Sequence, residues 1–154
     1  MSARVLFAAA ALLASGCVRH YIPGTEIEEN EDTSAIVKLM EKYRLAVEGR
    51  DTEALMALVS PQFRDNQGTS TPEDDIDFRS LPVELKNRFE HIDNVHLSID
   101  VRSIEVKKDD ASAVYYWTLQ WRMPGLAEKT QSSSELKRMQ FKRTDRVWKI
   151  ASGI

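Results

Sequence analysis

The sequence has only one cysteine, Cys17, among its 154 residues. A single cysteine can form neither an intramolecular disulfide nor a multi-cysteine zinc site. Basic residues are not in excess either, because 21 Lys and Arg stand against 24 Asp and Glu, for a formal net charge of -3. That balance argues against the strongly basic face of a nucleic-acid-binding protein, so we expect no nucleic-acid partner.

Long hydrophobic runs are also missing, since the longest, residues 5–14, has ten apolar residues. A membrane-spanning helix needs about 20 such residues. A run of this length after the basic Arg4, and before small residues, is typical of the core of a signal peptide. We therefore predict that residues 1–16 are a signal peptide.

The cysteine follows this run directly, in residues 12–17, which read LLASGC. This segment resembles the lipobox of bacterial lipoproteins, although Ala14 stands where leucine is commonest. The resemblance implies cleavage before Cys17, acylation of Cys17 with chains such as palmitate, and anchoring in the cell envelope. Val18, rather than Asp, implies sorting to the outer membrane. The alternative is an ordinary secretory signal with a chance cysteine.

Residues 17–33 are interpreted as the lipidated cysteine and an acidic tether. Pro23 and Gly24 indicate a turn or linker. Residues 26–32 include five acidic side chains. Such a stretch is expected to be solvated and extended, holding the domain away from the bilayer.

Residues 34–154 are predicted to form one α+β domain. Apolar residues recur with helical spacing in three segments, and alternate with the period of a strand from residue 95 onward. A change of phase at Arg102 and Ser103 indicates a β-bulge. Helices followed by a strand meander predict helices packed on one face of a curved antiparallel sheet. The predicted helices are residues 34–48, 51–59 and 80–92, and the predicted strands are residues 62–66, 95–106, 114–123, 134–143 and 147–154.

The ordered set of segments resembles the nuclear transport factor two-like superfamily, a cystatin-like group that includes ketosteroid isomerases, polyketide cyclases and binding-only domains. The supporting pieces are Lys42-Tyr43, the Gly49-Arg50-Asp51 junction, residues 54–59, and the closing residues 141–150, which read FKRTDRVWKI. The resemblance implies a cone-shaped sheet wrapped around a helix, with an apolar pocket at the open end.

Two residues correspond to catalytic positions of the ketosteroid isomerases. Tyr43 matches the tyrosine that donates to the enolate oxygen, and Asp65 falls near the general base. A tyrosine donor and an aspartate base could together move a proton next to a carbonyl. However, Met139 stands where the isomerases have a second acidic donor, and the surroundings of Asp65 are polar. A buried core tyrosine and a loop carboxylate are the favoured interpretation.

Alternation places Tyr115, Trp117 and Trp121 on one face of a strand. This face is interpreted either as plain core or as the lining of a pocket for an apolar ligand. The opposite face, with Tyr116, is often a dimer interface in the superfamily, so a homodimer through the sheet face is a candidate assembly. The pocket candidates are Tyr43, Tyr115, Trp117, Trp121, Met139 and Trp148.

The late hairpin is locally basic, through Lys137, Arg138, Lys142, Arg143, Arg146 and Lys149. It could be a docking face for an acidic partner, although alternating lysines on an exposed strand usually protect a sheet edge. We expect no metal site and no cofactor, since His91 and His96 have no convincing third ligand.

The sequence predicts a membrane-anchored envelope lipoprotein whose domain binds a small apolar ligand or a protein partner without catalysis. The alternative is an isomerase- or cyclase-like enzyme that uses Tyr43 and Asp65.

Overall fold

The structure is a computed structural model, and it describes residues 19–69, 71–123 and 129–154. The predicted signal peptide and the predicted lipidation of Cys17 lie outside the described residues. Within these three ranges, no helix combines the length and the apolar character needed to cross a bilayer.

In the described ranges, three α-helices precede the main sheet. They are α1 (Glu31–Glu48), α2 (Thr52–Leu58) and α3 (Leu81–Glu90). A single-turn 3₁₀ helix, Pro72–Asp74, lies between α2 and α3. The order of the helices is the predicted one.

Helix α1 begins three residues earlier than the sequence pattern predicts. Asn30 is the N-cap. The Asn30 side chain accepts from the Thr33 backbone N–H, and the Thr33 hydroxyl accepts from the Asn30 N–H, both over 2.9 Å. This reciprocal pair satisfies two backbone groups that would otherwise lack partners at the helix start. The last acids of the predicted tether therefore belong to the first turn of α1.

The segment before α1 is a small hairpin and not the extended chain that its acidic composition predicts. Tyr21 and Glu28 pair as an antiparallel bridge around the turn at Pro23 and Gly24. Ile27 is 6% exposed and belongs to the buried residues of the protein. Burying one isoleucine side chain contributes about 2 kcal/mol, which favours docking of the segment over a solvated spacer.

Six strands of the part that the structure describes form two antiparallel sheets. A two-stranded sheet pairs β1 with β2, and a four-stranded sheet has the order β3-β4-β5-β6. Their bounds are β1 Arg64–Asp65, β2 Ile76–Asp77, β3 Asp93–Lys107, β4 Asp110–Arg122, β5 Gln131–Thr144 and β6 Val147–Ser152.

The predicted bulge in β3 is confirmed. The pairing of β3 with β4 shifts by one residue between Val101, opposite Tyr115, and Ser103, opposite Val114. Arg102 is the extra residue. A bulge bends the strand and increases its twist, which helps the sheet to curve around α1.

One face of the four-stranded sheet, here called the inner face, packs against α1. Ala113, Tyr115 and Met139 on this face are fully buried, and Leu97 lies beside them. The opposite face is called the outer face. The predicted fold class is confirmed: the protein is α+β, with helices on one face of a curved antiparallel sheet.

The predicted edge role of the lysines on β5 is wrong. Strand β5 lies between β4 and β6, so its backbone groups are paired on both sides. A central strand needs no charged residues to prevent further pairing. Lys142 instead forms an ion pair with Asp110 over 3.3 Å, and Lys137 faces the inner side of the sheet.

Candidate functional site

The side chains that could carry a function meet on the inner face, at the end of the sheet near the C-terminal half of α1. Lys137 of β5 stands directly opposite Tyr115 of β4, and residues opposite one another in an antiparallel pair share a face. Trp117 is two residues along from Tyr115 on that same face. We name this group the cone site and define it as Tyr43, Asp65, Tyr115, Trp117 and Lys137.

Asp65 is a buried carboxylate held by backbone donors. It is 9% exposed. Its Oδ2 accepts from the Gly153 N–H over 2.7 Å, and its Oδ1 accepts from the Gln67 N–H over 2.9 Å. The Tyr115 hydroxyl donates to the Gly153 carbonyl over 3.2 Å. Asp65 therefore ties the end of the chain to β1, and both of its oxygens have donors within the protein.

Tyr43 is 4% exposed on the buried side of α1. Burial raises the pKa of its hydroxyl to about 12, because the charged phenolate would lose its water. The Trp117 indole N–H and the positive charge of Arg88 oppose this rise in pKa. Trp117 Nε1 lies near enough to act on Tyr43, yet the pair falls short of hydrogen-bond geometry. Tyr43 is thus a neutral hydroxyl at physiological pH.

We expect the ionisation of Tyr43 to be visible as a late step in an alkaline titration. The folded-state pKa is above the ordinary 10.0, so the contribution of this group to stability is complete below pH 10 and is lost as the pH rises toward about 12. The tyrosinate absorbance that wild type shows and Tyr43→Phe lacks should appear with a titration midpoint near pH 12. A difference centred near pH 10, with the far-ultraviolet circular dichroism unchanged, would contradict the burial.

Trp117 presents an unsatisfied donor inside the protein. Its Nε1 is buried, and no acceptor among the described residues bonds to it. Buried polar groups nearly always have a partner, and leaving one unmade costs about 1–3 kcal/mol. Such a donor invites a ligand acceptor or an ordered water.

The Lys137 ammonium covers the Trp117 ring, with Nζ 4.2 Å from the ring centroid. Burial lowers the pKa of Lys137, because the protein removes part of the water around the charge. The carboxylates of Glu135 and Asp65 act in the opposite direction on this pKa, whereas Arg88 adds to the lowering.

Arg88 lies on α3 at the margin of the cone site. Its Nε donates to Glu84 Oε1 over 2.8 Å, and its Nη2 donates to Gln67 Oε1 over 3.1 Å. The second bond joins α3 to the loop after β1. Arg88 therefore supplies a positive charge that is positioned by two contacts.

Five of the six pocket candidates lie in or against the hydrophobic core, and Trp121 does not. Tyr115 and Met139 are fully buried in that core. Trp117 is half-buried against it, and Trp121 lies four residues further along β4 on the same face.

Trp148 lies at the other end of α1 from Tyr43. Its Nε1 donates to Asp32 Oδ1 over 2.9 Å, and Asp32 also accepts from Arg143 over 2.7 Å. Asp32 precedes Tyr43 by eleven residues, which is about 16 Å along a helix axis. Trp148 therefore supports the start of α1 and does not join the cone site.

Sequence reasoning did not identify Lys137, Arg88 or Gly153 as neighbours of the site. For Lys137 a signal was available: it is two residues before Met139, so strand alternation places both on one face. No local pattern identifies Arg88 or Gly153, because their positions depend on how α3 and the last residues pack. Within the described ranges, no group of three His, Cys, Asp or Glu side chains is placed to hold a metal ion.

Neither a family model nor a curated protein sequence matches this chain. Solved structures with a similar fold include a conserved protein from Planctomyces limnophilus, with a TM-score of 0.68 and 12% identity, covering 79% of this chain and 92% of that one. A nuclear transport factor 2 (NTF2-like) superfamily protein from Salmonella enterica has a TM-score of 0.67 and 14% identity, with coverage of 78% and 86%. A candidate dehydratase of the NTF2-like family from Streptomyces avermitilis has a TM-score of 0.62 and 15% identity, with coverage of 79% and 93%. The chain therefore has the fold of the nuclear transport factor two-like proteins.

Proposed function

We propose that the chain is a lipid-anchored cell-envelope protein whose domain binds a small, largely apolar ligand in the cone site and does not catalyse a reaction on it. The observation that carries this proposal is the Trp117 indole, whose buried Nε1 has no acceptor among the described residues. Ligand pockets typically combine aromatic walls with a few polar groups that fix orientation. The cone site has this composition.

A binding role is favoured over catalysis by the state of Asp65. A general base must reach the proton that it removes. Both Asp65 oxygens instead accept backbone N–H groups, one from Gly153 at 2.7 Å and one from Gln67 at 2.9 Å. In addition, Met139 is fully buried where the resemblance to the isomerases would place a second acidic donor.

Mass spectrometry of the small molecules that copurify with the chain tests the binding proposal. The wild-type chain and Tyr116→Leu should retain the same small molecule, whereas Trp117→Leu should lose it. Tyr116 and Trp117 are adjacent aromatic residues of β4 on opposite faces, so the pair separates the cone site from the outer face. Equal retention by the two variants would contradict the proposal.

The enzyme alternative keeps some support, because Tyr43 and Asp65 both lie close enough to Tyr115 for their charges to raise its pKa, although burial is the main cause. One fold neighbour is also named as a candidate dehydratase. Isomerisation of a β,γ-unsaturated ketosteroid, followed by the absorbance of the conjugated product, tests this alternative. Our proposal expects no rate above that of buffer. A rate that disappears in Tyr43→Phe would favour the enzyme.

A protein partner on the outer face is the second candidate function. Tyr116 and Leu136 stand opposite one another there and are 47% and 60% exposed. The Arg102 guanidinium lies 4.9 Å from the centroid of the Tyr116 ring. An aromatic and aliphatic patch with a neighbouring arginine is a composition enriched in interfaces, so a homodimer is a candidate. Sedimentation of the chain as a monomer, unchanged in Leu136→Asp, would contradict it.

The anchor has its own prediction. Replacing Cys17 with serine should abolish processing by the lipoprotein pathway and release the chain from the membrane fraction, because the acyl chains supply the hydrophobic anchoring. Membrane fractionation of wild type and Cys17→Ser, with globomycin treatment of the wild type, measures this. A Cys17→Ser chain that stays membrane-bound would contradict lipid anchoring through this residue.

A further inference from the structure

We propose that the ligand of the cone site is a planar organic acid, with an apolar ring system beside Trp117 and an anionic group that the Lys137 ammonium binds. This inference rests on the proposed binding function and names its ligand class. The proposed binding function rests on the aromatic side chains and on the Trp117 indole N–H. The new element is a cation on the inner face.

The position of Lys137 follows from the register of the sheet. It is opposite Tyr115, whose side chain is fully buried, and two residues before Met139, which is also fully buried. A lysine at such a position can extend along apolar surface and place its ammonium in water. Here the ammonium instead lies 4.2 Å from the centroid of the Trp117 ring, on the inner side of the sheet.

The charge on Lys137 is not matched by a carboxylate. No acidic side chain among the described residues lies within ion-pair distance of its Nζ. Asp65, one of the nearby acids, already accepts two backbone N–H groups, and Glu135 is exposed. A partly buried cation without a counter-charge is unfavourable, and a ligand anion would remove that cost.

A second positive charge reinforces this preference. Arg88 is held by Glu84 and Gln67 at the margin of the site, and its charge reaches Lys137. The two cations come from different elements, α3 and β5. An anion beside Lys137 would be attracted by both charges, with the contribution of Arg88 reduced by its ion pair with Glu84.

The competing explanation is that Lys137 and Trp117 form a packing pair. A cation over an indole ring is itself stabilising by about 0.5–1 kcal/mol at exposed sites. Such a pair would have no preference for an acidic ligand. The charge of the ligand therefore distinguishes the two explanations.

Two fluorescent probes that differ only in one charged group provide the test. 8-Anilinonaphthalene-1-sulfonate carries a sulfonate, and N-phenyl-1-naphthylamine is the same ring system without it. Both are titrated into the purified full-length chain, and mutual displacement shows whether they share a site. We expect the sulfonate probe to bind the wild type at least about tenfold more tightly, as for a charge-assisted contact.

Three variants locate this preference. Lys137→Met should remove the preference for the sulfonate and leave the neutral probe within about twofold of wild type, and Lys137→Arg should retain the preference. Lys142→Met is the control, because Lys142 is on the same strand but pairs with Asp110. Near-ultraviolet circular dichroism confirms that each variant remains folded, since the sulfonate probe also binds loosened proteins.

The outcomes separate this inference from the function on which it rests. Equal affinity of the two probes for the wild type, or a preference that survives in Lys137→Met, would overturn the anionic ligand and leave an apolar binding site. If neither probe binds the wild type, the binding function fails, and this inference fails with it.

Discussion

Replacing Gly153 with alanine is expected to destabilise the folded chain by about 3 kcal/mol, because the site is both strained and crowded. Gly153 has φ +90°, a backbone conformation that residues with a Cβ rarely adopt. A Cβ built there would lie 2.9 Å from the Met139 Cα and in severe overlap with the Arg138 carbonyl oxygen. Relief of this overlap would move the Gly153 N–H and carbonyl away from Asp65 and Tyr115.

Gly68→Ala is the matched control for this substitution. Gly68 also has a positive φ, +74°, but no atom lies within 4 Å of a Cβ built on it. Gly68→Ala should lower the free energy of unfolding by only about 1 kcal/mol, which is the cost of the backbone conformation alone. Urea denaturation of both variants measures the difference. Equal losses would show that the close packing of the last residues against β5 is wrong.

Replacing Asp65 with alanine is expected to lower the free energy of unfolding by about 3 kcal/mol. The resemblance to the ketosteroid isomerases would instead place this residue at a catalytic position. Asp65 joins Gly153 and Gln67 through hydrogen bonds of 2.7 and 2.9 Å. Hydrogen bonds to a charged group are stronger than neutral ones, and removal of the carboxylate leaves buried donors without partners. A residue kept mainly for proton transfer would not show such a loss, since functional residues are often neutral or costly to stability.

Asp77→Ala is the control for Asp65→Ala. Asp77 also accepts two backbone N–H groups, from Arg79 and Ser80, each over 2.9 Å, but it is only partly buried and these bonds are open to solvent. Water can replace the lost carboxylate there, so its loss of stability should be clearly smaller. Thermal unfolding of the two variants at pH 7 compares them. A smaller loss for Asp65→Ala than for Asp77→Ala would contradict the structural role.

The sequence predicted the parts of the fold that depend on local periodicity. The spacing of apolar residues placed all three helices, and the change of phase at Arg102 located the bulge in β3. The closing hairpin and the resemblance that it carried led to the correct fold. These features are visible without knowledge of tertiary contacts.

Tertiary contacts determined what the sequence did not show. Residues 20–29 are acidic enough to suggest a solvated tether, yet burial of Ile27 docks them as a hairpin. The basic pattern of β5 suggested an edge, but pairing with β6 makes it a central strand, and Lys137 faces inward. The sequence does not distinguish Trp148 from the other aromatic residues, whereas its hydrogen bond to Asp32 places it at the far end of α1.

The central claim is that the cone site accepts a ligand, and the indole N–H resonances test it most directly. The chain has three tryptophans, and Trp117→Phe assigns the Trp117 signal in a ¹⁵N–¹H spectrum. On titration with N-phenyl-1-naphthylamine, the Trp117 signal should shift and saturate, because its Nε1 is buried without an acceptor among the described residues. The Trp148 signal should stay in place, because its Nε1 bonds to Asp32. A stationary Trp117 signal at saturating probe would contradict the account.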